Sequence, residues 1–319
     1  MDIPIIDFNN CGLHLENDGI LVESDLEAVG TKLYKAFAAS GFAYIENHGM
    51  PNAILDEIYR LSDIFFDQPH QYKMKFCSKG FAPNLCYDPM GGVTSNPERP
   101  SDFNEGFRLP AWTADNEWPD IDNMKTNVVE FQRLCKILTF RVFKALGRGM
   151  SLKDADLFCK SHNLIGHEGN RTGIRLLRYP AITEEVSLKE NQTRIGEHTD
   201  FATLTLLFND GIGGLQMETS KGNFEDVRYI PNTILLITGD MIEFWSGGRL
   251  KSTLHRVIVP NDKEERSKIR RTVAYFASVD DEVELRELEF KDSPPKNIER
   301  KVMTSLEYFN KRFGDLFYQ

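Results

Sequence analysis

Three side chains in the middle of the chain have the types and spacing of a metal site. His198 and Asp200 form a His-x-Asp pair at the head of the apolar run FATLTLLF. Side chains two apart on a strand point to the same face, so both can bind one ion while Thr199 points away. We expect the third ligand to be His255, on a strand distant in sequence and adjacent in space. Two imidazoles and one carboxylate leave one side of the ion open, which favours a reactive iron site over a closed structural zinc site.

The spacing of this pair is not decisive by itself. With 7 histidines and 48 acidic residues in 319, roughly one His-x-acid pair is expected by chance at average charged content. His14 and Glu16 form such a pair. The context of His198 and His255 is different, because both lie in apolar runs, the second being STLHRVIVP. On the residues alone, a hydrogen-bonded histidine near a strand end stays open as the alternative.

Composition narrows the class of protein. A chain of 319 residues with 41% hydrophobic content can bury the core of one catalytic unit. The net charge of −10 argues against a nucleic-acid partner, and the short basic run RSKIRR is typical of a solvated hairpin end. We expect neither a signal peptide nor a membrane span. We therefore expect a soluble cytoplasmic protein, and separately a monomer. The five cysteines include no C-x-x-C, which predicts reduced thiols.

Periodicity places these residues on a mainly β core preceded by helices. Helical spacing predicts one helix ending near Gly41, one beginning at Pro51 and a long one from Thr126 to Arg148. The region 79–119 lacks a sustained period and is predicted to be a long loop, either a binding loop or lid or a loop packed on its own aromatics. From Gly173 onward, eight β-rich runs predict a jelly roll or barrel-like sandwich. TILLITGDMIEFW and LKSTLHRVIV are two of these predicted strands, and an amphipathic helix closes the chain.

These motifs together resemble the Fe(II)/2-oxoglutarate-dependent dioxygenase superfamily, in the branch of isopenicillin N synthase-like enzymes. The resemblance covers nearly the whole chain and is carried by IPIIDF, GFAYIENHG, GEHTDFATLTLL, GGLQM, ITGDMIEFWSGGRLKSTLHRV and RRTVAYF. It implies an α+β fold with a distorted jelly roll, the double-stranded β-helix. We expect a helical or mixed region over 1–172 that is integral to the catalytic unit, a jelly-roll core over 173–285 and a C-terminal helical segment over 286–319.

The resemblance also implies which residues bind 2-oxoglutarate. Its Arg-x-Ser motif falls on Arg270 and Thr272, and its tyrosine before a proline falls on Tyr179. The chemistry fits, because a guanidinium fork donates two parallel hydrogen bonds to a carboxylate and a hydroxyl can donate a third. Strand alternation puts Arg271 on the other face. A surface arginine and a sheet-packing tyrosine are the alternatives. Threonine replaces the usual serine, and Leu177 stands where many plant members have asparagine.

The implied enzyme is an Fe(II)- and 2-oxoglutarate-dependent dioxygenase that uses O2 and releases succinate and CO2. Hydroxylation of a soluble small-molecule metabolite is the expected outcome. A 2-oxoglutarate-independent oxidase or cyclase of the same branch is the alternative, and a non-catalytic metal-binding scaffold is a third possibility. Arg175, which shares a strand face with Tyr179, and Phe201 are predicted to contact the substrate. A structural salt bridge is the alternative role for Arg175.

Overall fold

Two β-sheets face each other and share one buried layer of side chains. The computed structural model describes residues 2–15, 20–77, 85–112, 118–291 and 302–317, with backbone only after 312. Within these residues the strands are β1 (Ile5–Asp7), β2 (Phe42–Glu46), β3 (Cys86–Asp88), β4 (Glu105–Pro110), β5 (Gly173–Tyr179), β6 (Ile195–His198), β7 (Leu204–Asn209), β8 (Leu215–Glu218), β9 (Phe224–Asp226), β10 (Ile234–Thr238), β11 (His255–Val257) and β12 (Arg270–Ala277).

The larger sheet has the strand order β1-β2-β10-β7-β12-β5-β4-β3, and the smaller has the order β6-β11-β8-β9. Eight of these strands begin at or after Gly173, as the turn spacing predicts. The helices are α1 (Glu23–Ser40), α2 (Asn52–Phe66), α3 (His70–Lys73), α4 (Met124–Gly149), α5 (Leu157–Lys160), α6 (Asp240–Trp245), α7 (Lys263–Arg266) and α8 (Ser305–Phe317). The mainly β, jelly-roll α+β fold predicted from the sequence is confirmed.

Alternation along β5 and β12 separates two hydrophobic layers. Ile174, Leu176 and Val273 belong to the large core that includes the apolar faces of α1, α2 and α4. Leu177 and Tyr179 belong to a second cluster that includes residues of the smaller sheet. The larger sheet is therefore covered by helices on one face and by the smaller sheet on the other.

The helices pack closely where α1 crosses α4. A Cβ atom on Gly30 would lie 1.8 Å from the Ala145 carbonyl oxygen, and one on Gly149 would lie 2.0 Å from the Gly30 carbonyl carbon. Only glycine at both positions allows the two backbones to approach this closely. This contact fixes α1 against α4 within the helical layer.

Three sequence predictions of local structure were wrong in part. The run TILLITGDMIEFW is a strand only through Thr238 and then becomes α6. In LKSTLHRVIV, the strand is limited to His255–Val257. The predicted loop 79–119 contains β3 and β4; β4 pairs with β5, and β3 pairs with β4 at the edge of the larger sheet. Residues 79–84 and 113–117 of that prediction lie outside the described residues. None of the described helices combines the length and apolar character that a membrane crossing needs.

Candidate metal centre and co-substrate pocket

Strand pairing brings the two predicted histidine ligands face to face. β6 and β11 are antiparallel neighbours with His198 directly opposite His255, and their ring centroids are 4.3 Å apart. Asp200 follows β6 by two residues, and its Oδ1 lies 3.6 Å from His255 Nε2 and 4.0 Å from His198 Nε2. One candidate ligand atom from each of the three residues lies within 4.8 Å of the others. The three side chains therefore converge as the sequence predicts.

Each of the three side chains uses its other polar atom to hold its orientation. Nδ1 of His198 hydrogen-bonds the Gly196 carbonyl at 2.9 Å, and Nδ1 of His255 hydrogen-bonds the Thr253 carbonyl at 3.1 Å. Because a carbonyl oxygen only accepts, Nδ1 carries a proton in both rings, which leaves Nε2 as the nitrogen that can bind an ion. The Thr205 hydroxyl donates to Asp200 Oδ2 at 2.6 Å, which leaves Oδ1 for an ion. Such outer contacts are typical of metal ligands.

The electrostatics of His198 suit metal binding. Burial and the neighbouring His255 lower the pKa of His198 to about 4, although the charge of Asp200 acts in the opposite direction. The imidazole is therefore neutral at neutral pH, which is the form that coordinates a metal. The residues present fit a divalent iron ion, because two imidazoles and one carboxylate supply nitrogen and oxygen donors from one side.

The backbone after Asp200 is held by the turn between β10 and α6. The Asp240 amide donates to the Asp200 carbonyl at 2.8 Å, and the Thr199 hydroxyl donates to Asp240 Oδ2 at 3.0 Å. A Cβ atom on Gly239 would lie 2.2 Å from the Ala202 carbonyl oxygen. Thr199 thus points away from the ligands, as strand alternation predicts. Gly239 allows a close backbone contact that any side chain would block.

A second set of predicted residues forms a polar pocket between the sheets. Arg270 is 1% exposed and lies opposite Tyr179 in the register of β12 and β5. Its guanidinium donates to the Ile212 carbonyl at 3.1 Å, to Thr272 Oγ1 at 2.5 Å and to Asn209 Oδ1 at 2.9 Å. All three acceptors are neutral. A buried guanidinium with neutral acceptors and two N–H groups to spare is suited to binding a carboxylate.

Strand alternation correctly separates the adjacent arginines of β12. Nε of Arg271 donates to both carboxylate oxygens of Asp63 on α2, at 2.8 and 2.9 Å. It therefore lies on the helix-covered face of the sheet. Arg270 and Thr272 lie on the face toward the smaller sheet, where Tyr179 is 1% exposed. Burial raises the pKa of the Tyr179 phenol, so it remains a neutral hydrogen-bond donor.

The two predicted substrate residues have different packing partners. Arg175 forms a salt bridge of 3.0 Å with Asp88 of β3, and its charge contributes to lowering the pKa of His198. Phe201 packs edge-on against Phe309 of α8, with ring centroids 6.1 Å apart. The salt bridge that the sequence interpretation left open for Arg175 is present. Phe201 lies at the contact between the metal-site loop and the C-terminal helix.

The predicted loop region is tied directly to the strand that carries His198. Glu197 accepts hydrogen bonds at 2.6 Å from Nε and Nη2 of Arg99, at 2.9 Å from Asn96 and at 2.7 Å from Arg256. Burial would raise the pKa of Glu197, but these donors outweigh it and lower the pKa to about 2. Oδ1 of Asp102 also accepts a hydrogen bond of 2.9 Å from the Gly196 backbone amide. The segment around Asn96–Asp102 is thereby held against β6.

Comparisons with known proteins agree with this geometry. Residues 172–278 match the 2OG-Fe(II) oxygenase superfamily, and residues 3–127 match the non-haem dioxygenase in morphine synthesis N-terminal family. The chain is 33% identical to the UPF0676 protein of Schizosaccharomyces pombe over 92% of this chain and 90% of that protein. It is 32% identical to the 2-oxoglutarate-dependent dioxygenase htyE of Aspergillus rugulosus over 79% of this chain and 82% of that protein.

A solved structure extends the similarity to nearly the whole fold. A full-length Neurospora crassa protein in complex with alpha-KG matches with a TM-score of 0.83 and 27% identity, covering 99% of this chain and 96% of that chain. The same protein in complex with alpha-KG and thymine matches with a TM-score of 0.82 and 26% identity, covering 99% and 97%. This chain belongs to the 2OG-Fe(II) oxygenase superfamily and is an oxidoreductase that uses Fe(II), 2-oxoglutarate and O2.

Proposed function

We propose that His198, Asp200 and His255 hold the Fe(II) ion of this dioxygenase. The observation that carries the proposal is the convergence of their ligand atoms, with the remaining polar atom of each side chain already hydrogen-bonded. When bound, the iron activates O2 for the oxidative decarboxylation of 2-oxoglutarate to succinate and CO2 and for oxidation of a substrate C–H bond. The groups hydrogen-bonded to the three ligands orient them. The surrounding protein shields His255 and Asp200 from solvent, since both are buried.

Arg270, Thr272 and Tyr179 are the proposed contacts of the distal carboxylate of 2-oxoglutarate. Support comes from the burial of Arg270 and from its neutral hydrogen-bond acceptors, which leave the guanidinium charge without a carboxylate at salt-bridge distance among the described residues. The Thr272 hydroxyl already orients Arg270 at 2.5 Å. Threonine in place of serine therefore keeps the hydroxyl function that the motif requires.

The proposed reaction is hydroxylation of a small soluble metabolite by a cytoplasmic monomer. The five cysteines are free thiols, a state that a reducing compartment maintains. The proposal is tested by supplying purified protein with Fe(II), 2-oxoglutarate and a metabolite extract under air, and measuring O2 consumption, succinate and products that gain one oxygen atom. Turnover with iron, O2 and a reductant but without a 2-oxo acid would assign the protein to the oxidase alternative, and no O2 consumption at all would favour a scaffold.

Arg175 and Phe201 remain the proposed substrate contacts. Arg175 has a buried Nε with no hydrogen-bond partner in the described structure, so it can donate to a carbonyl or carboxylate oxygen. The Neurospora crassa relative of known structure binds thymine, a small carbonyl-bearing molecule. Phe201 is half-buried beside Asp200 and offers an apolar ring to the same small ligand.

The contribution of Arg175 can be separated from that of its salt bridge. Arg175→Leu should raise the substrate KM while leaving 2-oxoglutarate decarboxylation without substrate near the wild-type rate. Arg108→Leu is the matched control, because Arg108 also pairs with Asp88, at 2.9 Å. An equal loss of both reactions in Arg175→Leu, or the same KM change in both variants, would assign Arg175 a structural role.

A further inference from the structure

Arg194 is an unusual buried residue next to the co-substrate pocket. It immediately precedes β6 and is 0% exposed. None of Nε, Nη1 and Nη2 of its guanidinium has a hydrogen-bond partner within the described structure. Its backbone carbonyl, by contrast, accepts a hydrogen bond of 2.6 Å from the side-chain amide Nδ2 of Asn104. The backbone of Arg194 is thus held in place, while the five N–H donors of its side chain have no acceptor. Burying such donors costs free energy unless a ligand supplies acceptors for them.

The surroundings of Arg194 place its charge beside that of Arg270. The Arg270 and Arg194 guanidinium carbons lie 4.8 and 5.9 Å from the centroid of the Tyr179 ring. Burial and the charge of Arg270 lower the pKa of Arg194 to about 10, so the group is still charged at neutral pH. Two buried like charges around one aromatic ring repel each other and attract an anion.

Neighbouring acids do not neutralise this pair. Among acidic side chains, Asp210 and then Glu265 act most strongly to raise the pKa of Arg194, and burial and Arg270 outweigh them. The carboxylate of Asp210 is already hydrogen-bonded to the Arg271 amide at 2.6 Å and the Ile212 amide at 3.2 Å. Within the described residues, neither Arg194 nor Arg270 has a carboxylate at salt-bridge distance. The positive charge of the two guanidinium groups can therefore be compensated by one added anion.

We infer that Arg194 is a second guanidinium for the distal carboxylate of 2-oxoglutarate, acting together with Arg270. The inference rests on the proposed function and adds a residue outside the Arg-x-Ser motif. A carboxylate offers about four acceptor positions. Arg270 has two N–H groups left after its three internal bonds, so further acceptor positions remain for Arg194. A 2-oxo acid without the distal carboxylate would leave both guanidinium groups unpaired, which predicts selectivity for dicarboxylates.

The test compares Arg194→Met with Arg178→Met. Arg178 also lies beside Tyr179 in sequence, but it pairs with Asp67 at 2.5 Å on the helix-covered side of β5. Anaerobic calorimetric titration of the Mn(II)-loaded proteins would measure binding of 2-oxoglutarate and of pyruvate, which has the chelating 2-oxo acid group and no distal carboxylate. Arg194→Met should bind 2-oxoglutarate at least about thirty-fold more weakly. Its pyruvate affinity, and both affinities of Arg178→Met, should match the wild type.

Thermal unfolding separates ligand binding from a structural role. Because the Arg194 guanidinium has no hydrogen-bond partner to lose among the described residues, ligand-free Arg194→Met should unfold at or above the wild-type temperature, and 2-oxoglutarate should stabilise it less than the wild type. Equal 2-oxoglutarate affinity in Arg194→Met and wild type would overturn the inference and leave the proposed function intact. A lower unfolding temperature with parallel loss of pyruvate binding would also overturn it, in favour of a structural role. Failure of the wild type to bind 2-oxoglutarate would instead refute the proposed function.

Discussion

Thr205→Val isolates the hydrogen bond that orients the carboxylate ligand. Thr205 is 1% exposed in β7 and donates to Asp200 Oδ2 at 2.6 Å. Valine has nearly the same shape but no hydroxyl, so the substitution removes the donor without opening a cavity. Loss of an outer-shell partner of a metal ligand typically weakens metal binding about ten- to hundred-fold, which is about 1.4–2.8 kcal/mol. We expect this loss in the affinity for Mn(II) or Fe(II).

The same substitution should lower stability in the absence of metal. Asp200 is itself buried, and its Oδ2 would lose the hydroxyl donor inside the protein. Leaving a buried acceptor unsatisfied costs about 1–3 kcal/mol. Chemical denaturation in the presence of a chelator would measure this change in the free energy of unfolding.

Two control variants make the result specific. Thr205→Ser keeps the hydroxyl and should bind metal nearly as tightly as the wild type. Thr199→Val removes a hydroxyl that bonds Asp240 at 3.0 Å, on the side away from the ligand atoms, and should change metal affinity little. The reasoning is refuted if Thr205→Val binds metal as the wild type does, or if Thr199→Val weakens binding to the same extent.

Three further predictions concern the ligands, the co-substrate arginine and the helical layer. Alanine at His198, Asp200 or His255 should abolish succinate formation while circular dichroism still reports a folded protein; full activity in any variant would contradict the iron assignment. Arg270→Ala should raise the 2-oxoglutarate KM about thirty-fold to several-thousand-fold, whereas Arg271→Ala should leave it near the wild-type value, so equal effects in initial-rate assays would count against the pocket. Gly30→Ala should lower the free energy of unfolding by about 1–3 kcal/mol or more, because its Cβ would lie 1.8 Å from a carbonyl oxygen; an unchanged denaturation midpoint would disprove that reasoning.

Local sequence rules predicted much of the site because its key residues obey strand alternation. Arg270 and Thr272 lie on one face of β12 and Arg271 lies on the other. Thr199 points away from the ligands. These relations depend only on neighbours within one strand, where the side-chain period is two. The long helix predicted from Thr126 to Arg148 was confirmed as α4, Met124–Gly149, because its apolar residues recur at the period of a helix.

Local rules failed where two structures compete for one apolar run. The run TILLITGDMIEFW contains enough β-branched and aromatic residues to indicate a single strand, yet Gly239 ends β10 and α6 follows. Close approach of the Gly239 backbone to the Ala202 carbonyl decides this turn. Likewise, β3 and β4 form within a region without clear periodicity because β5 offers an edge to β4, and β4 in turn offers an edge to β3. Tertiary pairing overrides a weak local preference in both cases.

The sequence by itself determined the chemistry available to this protein: two histidines and one aspartate in apolar runs, and an arginine with a hydroxyl two residues later. Only the tertiary structure decided how these groups are completed. The register of β6 and β11 sets His198 opposite His255, and the packing of β7 brings Thr205 to Asp200. The placement of Arg194 beside the Tyr179 ring likewise depends on how the two sheets face each other. Such contacts join residues whose distance in space is set by strand pairing and sheet packing, which no spacing rule along one strand can supply.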